Sequence, residues 1–325
     1  LLSMVVSLSN RFVRVYNSLD GLNRDLEGKN RVLTSMNVAS GRFVPTEFLH
    51  LLGRENLVEV QRGDQVQKEM SVLFSDIRSF TTIVEGMTPQ QNFAFINSYL
   101  AHMEPPIRAE NGFIDSYIGD AIMALFAGGA DAAVRAGIGD LRALEVYNRE
   151  RSAAGFKPVR IGVGVSTGQL MLGTIGGRDR INCGVIGDCV NLAARVESMT
   201  KMYGAAFLIS ELTHARLADP SVYELRVVDR VRAKGKTKPV TIYEVLDGLP
   251  VDVREKRHTT RARFHEALHA FQEGKDPKQA LACFRDVVAA DPGDEAAKLW
   301  VDRCEHLAEV GLPDDFDGVV ELLTK

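Results

Sequence analysis

The residues best placed to do chemistry are Asp76 and Asp120. Asp76 ends an apolar run, Val72–Leu73–Phe74, inside the stretch EMSVLFSDIRSFTTI that starts at Glu69, and the Ser–Phe–Thr–Thr segment after it opens a helix. Asp120 lies at a break, Ile118–Gly119–Asp120, between two short β-rich runs in FIDSYIGDAIMALF, residues 113–126. If those runs pair as antiparallel strands beside the first, the strand-end carboxylate and the turn carboxylate face each other, with only Arg78 close in sequence to neutralise them. Hard divalent cations take oxygen ligands of this kind, so the pair is expected to hold Mg²⁺ or Mn²⁺. Asp76 alone would serve as an ordinary helix N-cap; its company in a second motif is what points to metal.

The elements that must position this pair read as one αβ domain over residues 69–247. Apolar and β-branched runs predict strands at 71–75, 113–118, 121–126, 159–167, 170–175, 184–186, 206–209, 223–228 and 240–245. Periodic segments predict helices at 89–110, 130–153, 190–203 and 211–218, the first with Thr88 as N-cap and Pro89 at its first position. The order is that of an α+β, ferredoxin-like (split βαβ) domain, with helices covering one face of the sheet.

Upstream, Val5, Leu8, Phe12, Val15, Leu19, Leu22, Leu26, Leu33 and Met36 recur in alternating steps of three and four. That is a heptad seam and predicts a coiled-coil signalling helix over 1–36, since helices packed on their own domain drift to a longer period. Residues 37–68 read as a transducing linker, broken at Gly41 and Pro45. Downstream, 258–325 is helical in pattern; its Ala-rich helix pair, Pro292 and a new helix from Asp294 resemble a tetratricopeptide-type repeat, expected to pack on the αβ core or on a dimer mate.

Composition narrows the class. The chain has 325 residues, 45% of them apolar, and a formal net charge of −4, which gives no reason to expect nucleic acid as a partner. Cys183, Cys189, Cys283 and Cys304 show no metal-ligand spacing and read as reduced thiols, and the seven histidines form no ligand cluster. The start at Leu1 and the short apolar LLSMVVSLSN suggest a fragment: the cytoplasmic catalytic portion of a longer protein, with a sensor or membrane domain upstream.

Four words in order, VLFSDIRSFT, IDSYIGDAIMALF, GVIGDCVNLAARVE and RAKGKTKPVTIYEV, resemble the catalytic domain of the class III nucleotidyl cyclases over about residues 43–247. The resemblance implies a homodimer that converts a nucleoside triphosphate to a 3′,5′-cyclic nucleotide and pyrophosphate, with two metal ions per active site. It assigns Asp76, Asp120 and the Ile77 carbonyl to metal. It gives Asn191 and Arg195, four apart on one helix face, to orienting the ribose and stabilising charge on the α-phosphorus. The amides from Arg78 to Thr81 at a helix start, Phe80 and Thr81 among them, and Lys234 would hold phosphate, with Lys236 as neighbour and Arg178 and Arg180 ranked below. The resemblance also implies that Asp76 and Asp120 of one chain meet Asn191, Arg195 and Lys234 of the other.

The base-selecting positions depart from the family pattern. Adenylate cyclases of this type usually carry lysine and threonine or aspartate, and guanylate cyclases glutamate and cysteine or serine, where this chain has Ser116 and Gly184. A serine hydroxyl can serve either purine and a glycine offers nothing, so base discrimination is expected to be weak. ATP is the expected substrate because the glutamate that marks GTP is absent. A guanylate or relaxed-purine cyclase, and a catalytically weak nucleotide-binding or dimerisation module, stay as alternatives.

Overall fold

The computed structural model describes residues 2–177, 180–233, 238–313 and 316–322. The chain divides into two compact units, Leu1–Val60 and Gln61–Lys325. In the first, helix α1 runs over Leu2–Ser40 and a short α2 over Thr46–Leu51. The heptad positions from Phe12 to Met36 all lie open on α1: Phe12 is 73% exposed, Leu22 65% and Met36 61%.

The second unit carries the catalytic-type αβ fold. Its described residues form a nine-stranded sheet in the order β2-β3-β1-β4-β6-β8-β7-β9, with β5 pairing β4. The strands are β1 (Gln65–Ile77), β2 (Phe113–Ile118), β3 (Ala121–Phe126), β4 (Ile161–Gly176), β5 (Ile181–Ile186), β6 (Phe207–Ser210), β7 (Leu225–Ala233), β8 (Val240–Val245) and β9 (Val320–Leu322). The helices are α3 (Phe80–Val84), α4 (Pro89–Ala109), α5 (Ala130–Ala153), α6 (Asp188–Tyr203), α7 (Glu211–His214), α8 (Val251–Gln272), α9 (Pro277–Ala290) and α10 (Glu295–Val310).

This is the expected α+β class, with two corrections to its details. The two strands expected at 159–167 and 170–175 are one: β4 pairs β1 without a break from Ile161↔Ile77 to Gly173↔Gln65. Gly168 is therefore no turn residue; a Cβ there would lie 3.1 Å from Cys189 Cβ, so the glycine makes room for α6. The same ladder carries β1 back to Gln65, ahead of the expected domain start; its first five residues are mostly exposed and polar and lack the apolar run that marks a strand in sequence.

The second correction concerns the layers, for both sheet faces are covered. On one, α4 and α5 bury Phe95, Tyr99, Met103 and Leu141 against Val163, Val165, Phe207 and Ile209. The capping box of Thr88 and Gln91 fixes the start of α4. On the other, α6 lies directly on β4, where a Cβ at Gly164 would come within 2.2 Å of the Glu197 backbone nitrogen. Leu208, the odd residue of β6, points to that same face and joins α8, α9 and α10 in a second core.

The C-terminal helices are thus docked on the αβ core. Trp300 is fully buried and donates from its indole nitrogen to the Val228 carbonyl at 3.0 Å, with Phe284 stacked on it at 5.4 Å. Arg226 of β7, also buried, is held between Glu244 of β8 and Asp294, each at 2.5 Å, and Arg257 of α8 pairs with the same Asp294. Burial alone would raise the Asp294 carboxyl, but the Arg226 charge beside it brings it below the ordinary range. Asp294 also caps α10 through the Ala297 amide at 3.0 Å, so one carboxylate ties helix start to sheet.

Asp140 of α5 has no such partner: it is fully buried and neither carboxyl oxygen has a hydrogen-bond partner among the described residues. Burial pushes its pKa well above the usual carboxylate range. The folded chain then holds a proton that the unfolded chain has released, so stability falls as pH rises above the unfolded-state value near 3.8, until the folded group itself ionises. Asp140→Met is expected to flatten this slope, by up to about 1.4 kcal/mol per pH unit for one proton. Urea unfolding of both proteins from pH 5 to pH 8, on the order of half-unit steps, reads the difference; parallel curves would refute it.

Candidate active site

The β1 end and the β2–β3 turn bring the two aspartates together. Asp76 is the penultimate residue of β1, and Asp120 follows Gly119, whose φ of +68° is the left-handed turn conformation that favours glycine. The Ile77 amide donates to both carboxylates, to Asp76 Oδ1 at 3.0 Å and Asp120 Oδ2 at 3.2 Å. Partial burial pushes Asp120 up to about 7, and the hydrogen-bonded, like-charged Asp76 adds to the shift.

Arg78 lies within reach of the Asp76 charge but makes its ion pair elsewhere. Its guanidinium turns to Glu197 of α6, with Nη1 at 3.3 Å from Oε1. Burial pushes Glu197 up to about 7, against the pull of the Arg78 charge. The aspartate pair therefore retains excess negative charge on facing oxygens, which fits a hard divalent cation. Among the described residues no cluster of three or more His, Cys, Asp or Glu side chains surrounds it, so the remaining ligands would be main-chain oxygens, waters or substrate phosphates.

The neighbouring turn differs from expectation in one respect. The Arg78 amide donates to Arg160 O at 2.7 Å and so is not free for phosphate. Ser79, in the left-handed region at φ +55°, caps α3, and the chain opens into helix at Phe80 and Thr81. Phe80 stacks on Phe95 of α4 at 6.2 Å between ring centroids, which anchors this short helix to the core.

Asn191 and Arg195 lie on the exposed face of α6, whose opposite face buries Cys189, Ala193, Val196 and Thr200. Nothing in the described structure links them by a hydrogen bond or ion pair to Asp76 or Asp120. Ser116 sits half-buried on β2, its Oγ 3.9 Å from Met123 Sδ and in hydrogen-bond contact with the Asp115 carboxyl, and Gly184 pairs with Gly173 on β4. Their sequence neighbours Asp115 and Cys183 lie in each other's field: burial first, then the Asp115 charge, raises the Cys183 thiol to about 11. Arg180 is exposed and reaches Asn182 Oδ1 at 3.4 Å. Lys234, its neighbour Lys236, and Arg178 lie outside the described residues. Glu197, which holds Arg78, was not singled out from sequence; its place six residues after Asn191 on α6 is the only local signal for it.

Known proteins share this arrangement. Residues 63–246 match the family model described as adenylate and guanylate cyclase catalytic domain. An adenylate cyclase of Anabaena cylindrica is 41% identical over 210 residues, 63% of this chain and 42% of that protein. The terminal-differentiation-specific adenylate cyclase of Dictyostelium discoideum is 35% identical over 275 residues, 81% of this chain and 12% of that protein. The chain thus spans less than half the length of either curated relative. The solved adenylyl cyclase CyaB from P. aeruginosa superposes with a TM-score of 0.50 at 32% identity, covering 56% of this chain and 95% of that one. With its family model matched over more than half its length, the chain belongs to the adenylate and guanylate cyclase catalytic-domain family.

Proposed function

We propose that this protein is a homodimeric adenylate cyclase, converting ATP to 3′,5′-cyclic AMP and pyrophosphate. The observation that carries the reading is the convergence of Asp76 and Asp120 on the Ile77 amide, with no ion pair to either carboxylate among the described residues. Asp76, Asp120 and the Ile77 carbonyl would hold two Mg²⁺ or Mn²⁺ ions. Bound there, the metals supply Lewis-acid activation of the ribose 3′-hydroxyl and charge neutralisation on the phosphates. The amides at Phe80 and Thr81, with Lys234 and, in lesser roles, Arg178 and Arg180, hold the triphosphate so that pyrophosphate leaves in line. Asn191 orients the ribose, and Arg195 offsets the charge that grows on the α-phosphorus. Ser116 and Gly184 face the base.

The exposed position of Asn191 and Arg195, apart from the aspartates of their own chain, supports a site completed by a second copy. The open heptad stripe of α1 supports a parallel coiled coil as the means of pairing, because a row of apolar side chains of this length is costly to leave in water. An upstream sensor or membrane domain would act through that helix; no helix among the described residues is itself long and apolar enough to cross a membrane. A second reading, a relaxed purine cyclase, is favoured by Ser116 and Gly184, which offer no charged group to reject guanine.

Purified protein with ATP or GTP and Mn²⁺, its products separated by chromatography, tests the function. Cyclic AMP is expected to dominate, with measurable cyclic GMP, and Asp76→Ala is expected to lower turnover at least ~1,000-fold without dissolving the dimer. No cyclic product from either nucleotide would leave a binding module. Shared sites make a second prediction: Asp76→Ala and Asn191→Ala are each inactive, but mixed in equal amounts they regain about a quarter of wild-type activity, because half the dimers carry one intact site. A mixture as inactive as its parents would place the whole site within one chain. Third, fusing residues 30–325 to a constitutive zipper in successive heptad phases is expected to change turnover several-fold, read at fixed ATP; indifference to phase would exclude signalling through the coil.

A further inference from the structure

A cavity of about 550 Å³ lies on the outer side of the fold, between α4, the end of α5 and the loop that follows α3. Met87, Ala94, Phe95, Tyr147 and Phe156 give it apolar walls. One cation stands in it: the Arg151 guanidinium carbon lies 4.7 Å from the Phe95 ring centre, 5.5 Å from Phe156 and 5.6 Å from Tyr147. Arg151 Nε donates to the Lys157 carbonyl at 3.0 Å, which tethers the group. Its terminal nitrogens have no carboxylate opposite them among the described residues. The acid on the rim, Glu150, is engaged by His102 at 3.1 Å.

A guanidinium set among three rings, with no carboxylate opposite its terminal nitrogens, is a receptor for a carboxylate, and the rings around it suit an apolar body. We infer that this cavity binds a small monocarboxylate with an apolar chain or ring, at a site separate from Asp76 and Asp120. It also has a route to them. Phe95 forms its floor and carries the stacked Phe80, the first residue of α3, while Gly86 and Met87 of its wall follow directly on that helix. A ligand that fills the cavity fixes the setting of α3, and with it the amides that open toward phosphate. This regulatory step rests on the proposed cyclase reading; the binding does not.

Titration calorimetry of the full chain with decanoate, below its micelle concentration and without nucleotide, tests the binding. Saturable uptake of one decanoate per chain is expected. Arg151→Gln is expected to weaken it about tenfold, the loss of a charge-assisted pair. Ala94→Trp, at an exposed lining position, is expected to abolish it by filling the space. Decan-1-ol should bind wild type and Arg151→Gln alike. No saturable binding, or binding unchanged in either variant, overturns the site. Cyclic-nucleotide formation measured with and without decanoate then reads the coupling. A change in wild type that disappears in Ala94→Trp supports the coupling, and turnover indifferent to bound decanoate overturns it while leaving the site.

Discussion

Two carboxylates held face to face are unfavourable, and much of this fold serves to keep them so. Partial burial, with the like-charged Asp76 adding to it, drives one group to hold a proton and raises Asp120 to about 7. The usual remedy, a neighbouring guanidinium, is one residue past Ile77 in sequence but turned away, held by Glu197. The arrangement therefore leaves a demand for positive charge that no ion pair among the described residues meets. A long β1–β4 ladder on one side and a two-strand turn through Gly119 on the other fix the spacing, so the pair cannot relax apart.

The position of α6 follows from the same strand. Glycines at 162, 164 and 168 strip β4 of side chains where the helix crosses it, and the backbone of Glu197 sits where a Cβ of residue 164 would be. Close contact fixes the helix rotation. Its buried face must carry Ala193, Val196 and Glu197, so Asn191 and Arg195 are turned out to solvent. The Arg78–Glu197 pair then ties the aspartate-bearing strand end to the helix that carries the outward-facing pair. On the proposed reading these two halves serve different sites of a dimer, and the ion pair becomes a rigid link between them.

The C-terminal helices complete the sheet rather than extend from it. Their apolar faces close over β7 and β8 around Trp300, and the buried Arg226, Glu244, Asp294 and Arg257 fix the register of that contact. Breaking such a network costs about 3–5 kcal/mol because it strands a buried charge, whereas the net worth of the intact network is small. Its effect is to specify one docking geometry, which keeps the face beneath α6 covered.

Local chemistry carried the sequence reading a long way. A strand end and a glycine turn were enough to expect Asp76 and Asp120 near each other, because each depends on neighbours within a few residues; the spacing of Asn191 and Arg195 put them on one helix face, while their roles came only from the family resemblance. The α+β class followed from the order of periodic segments in the same way. What pairs across the chain was not legible. Gly168 read as a break between two strands because glycine interrupts a strand locally, while its reason is Cys189 on a helix 21 residues on. Arg78 read as the partner of Asp76 because they are adjacent, while its partner lies 119 residues away. The second covered sheet face, the stranded carboxyl of Asp140 and the ring-bound Arg151 belong to the same class. Each is set by which surfaces meet when the layers close, and burial, charge compensation and close packing come into being only at that step.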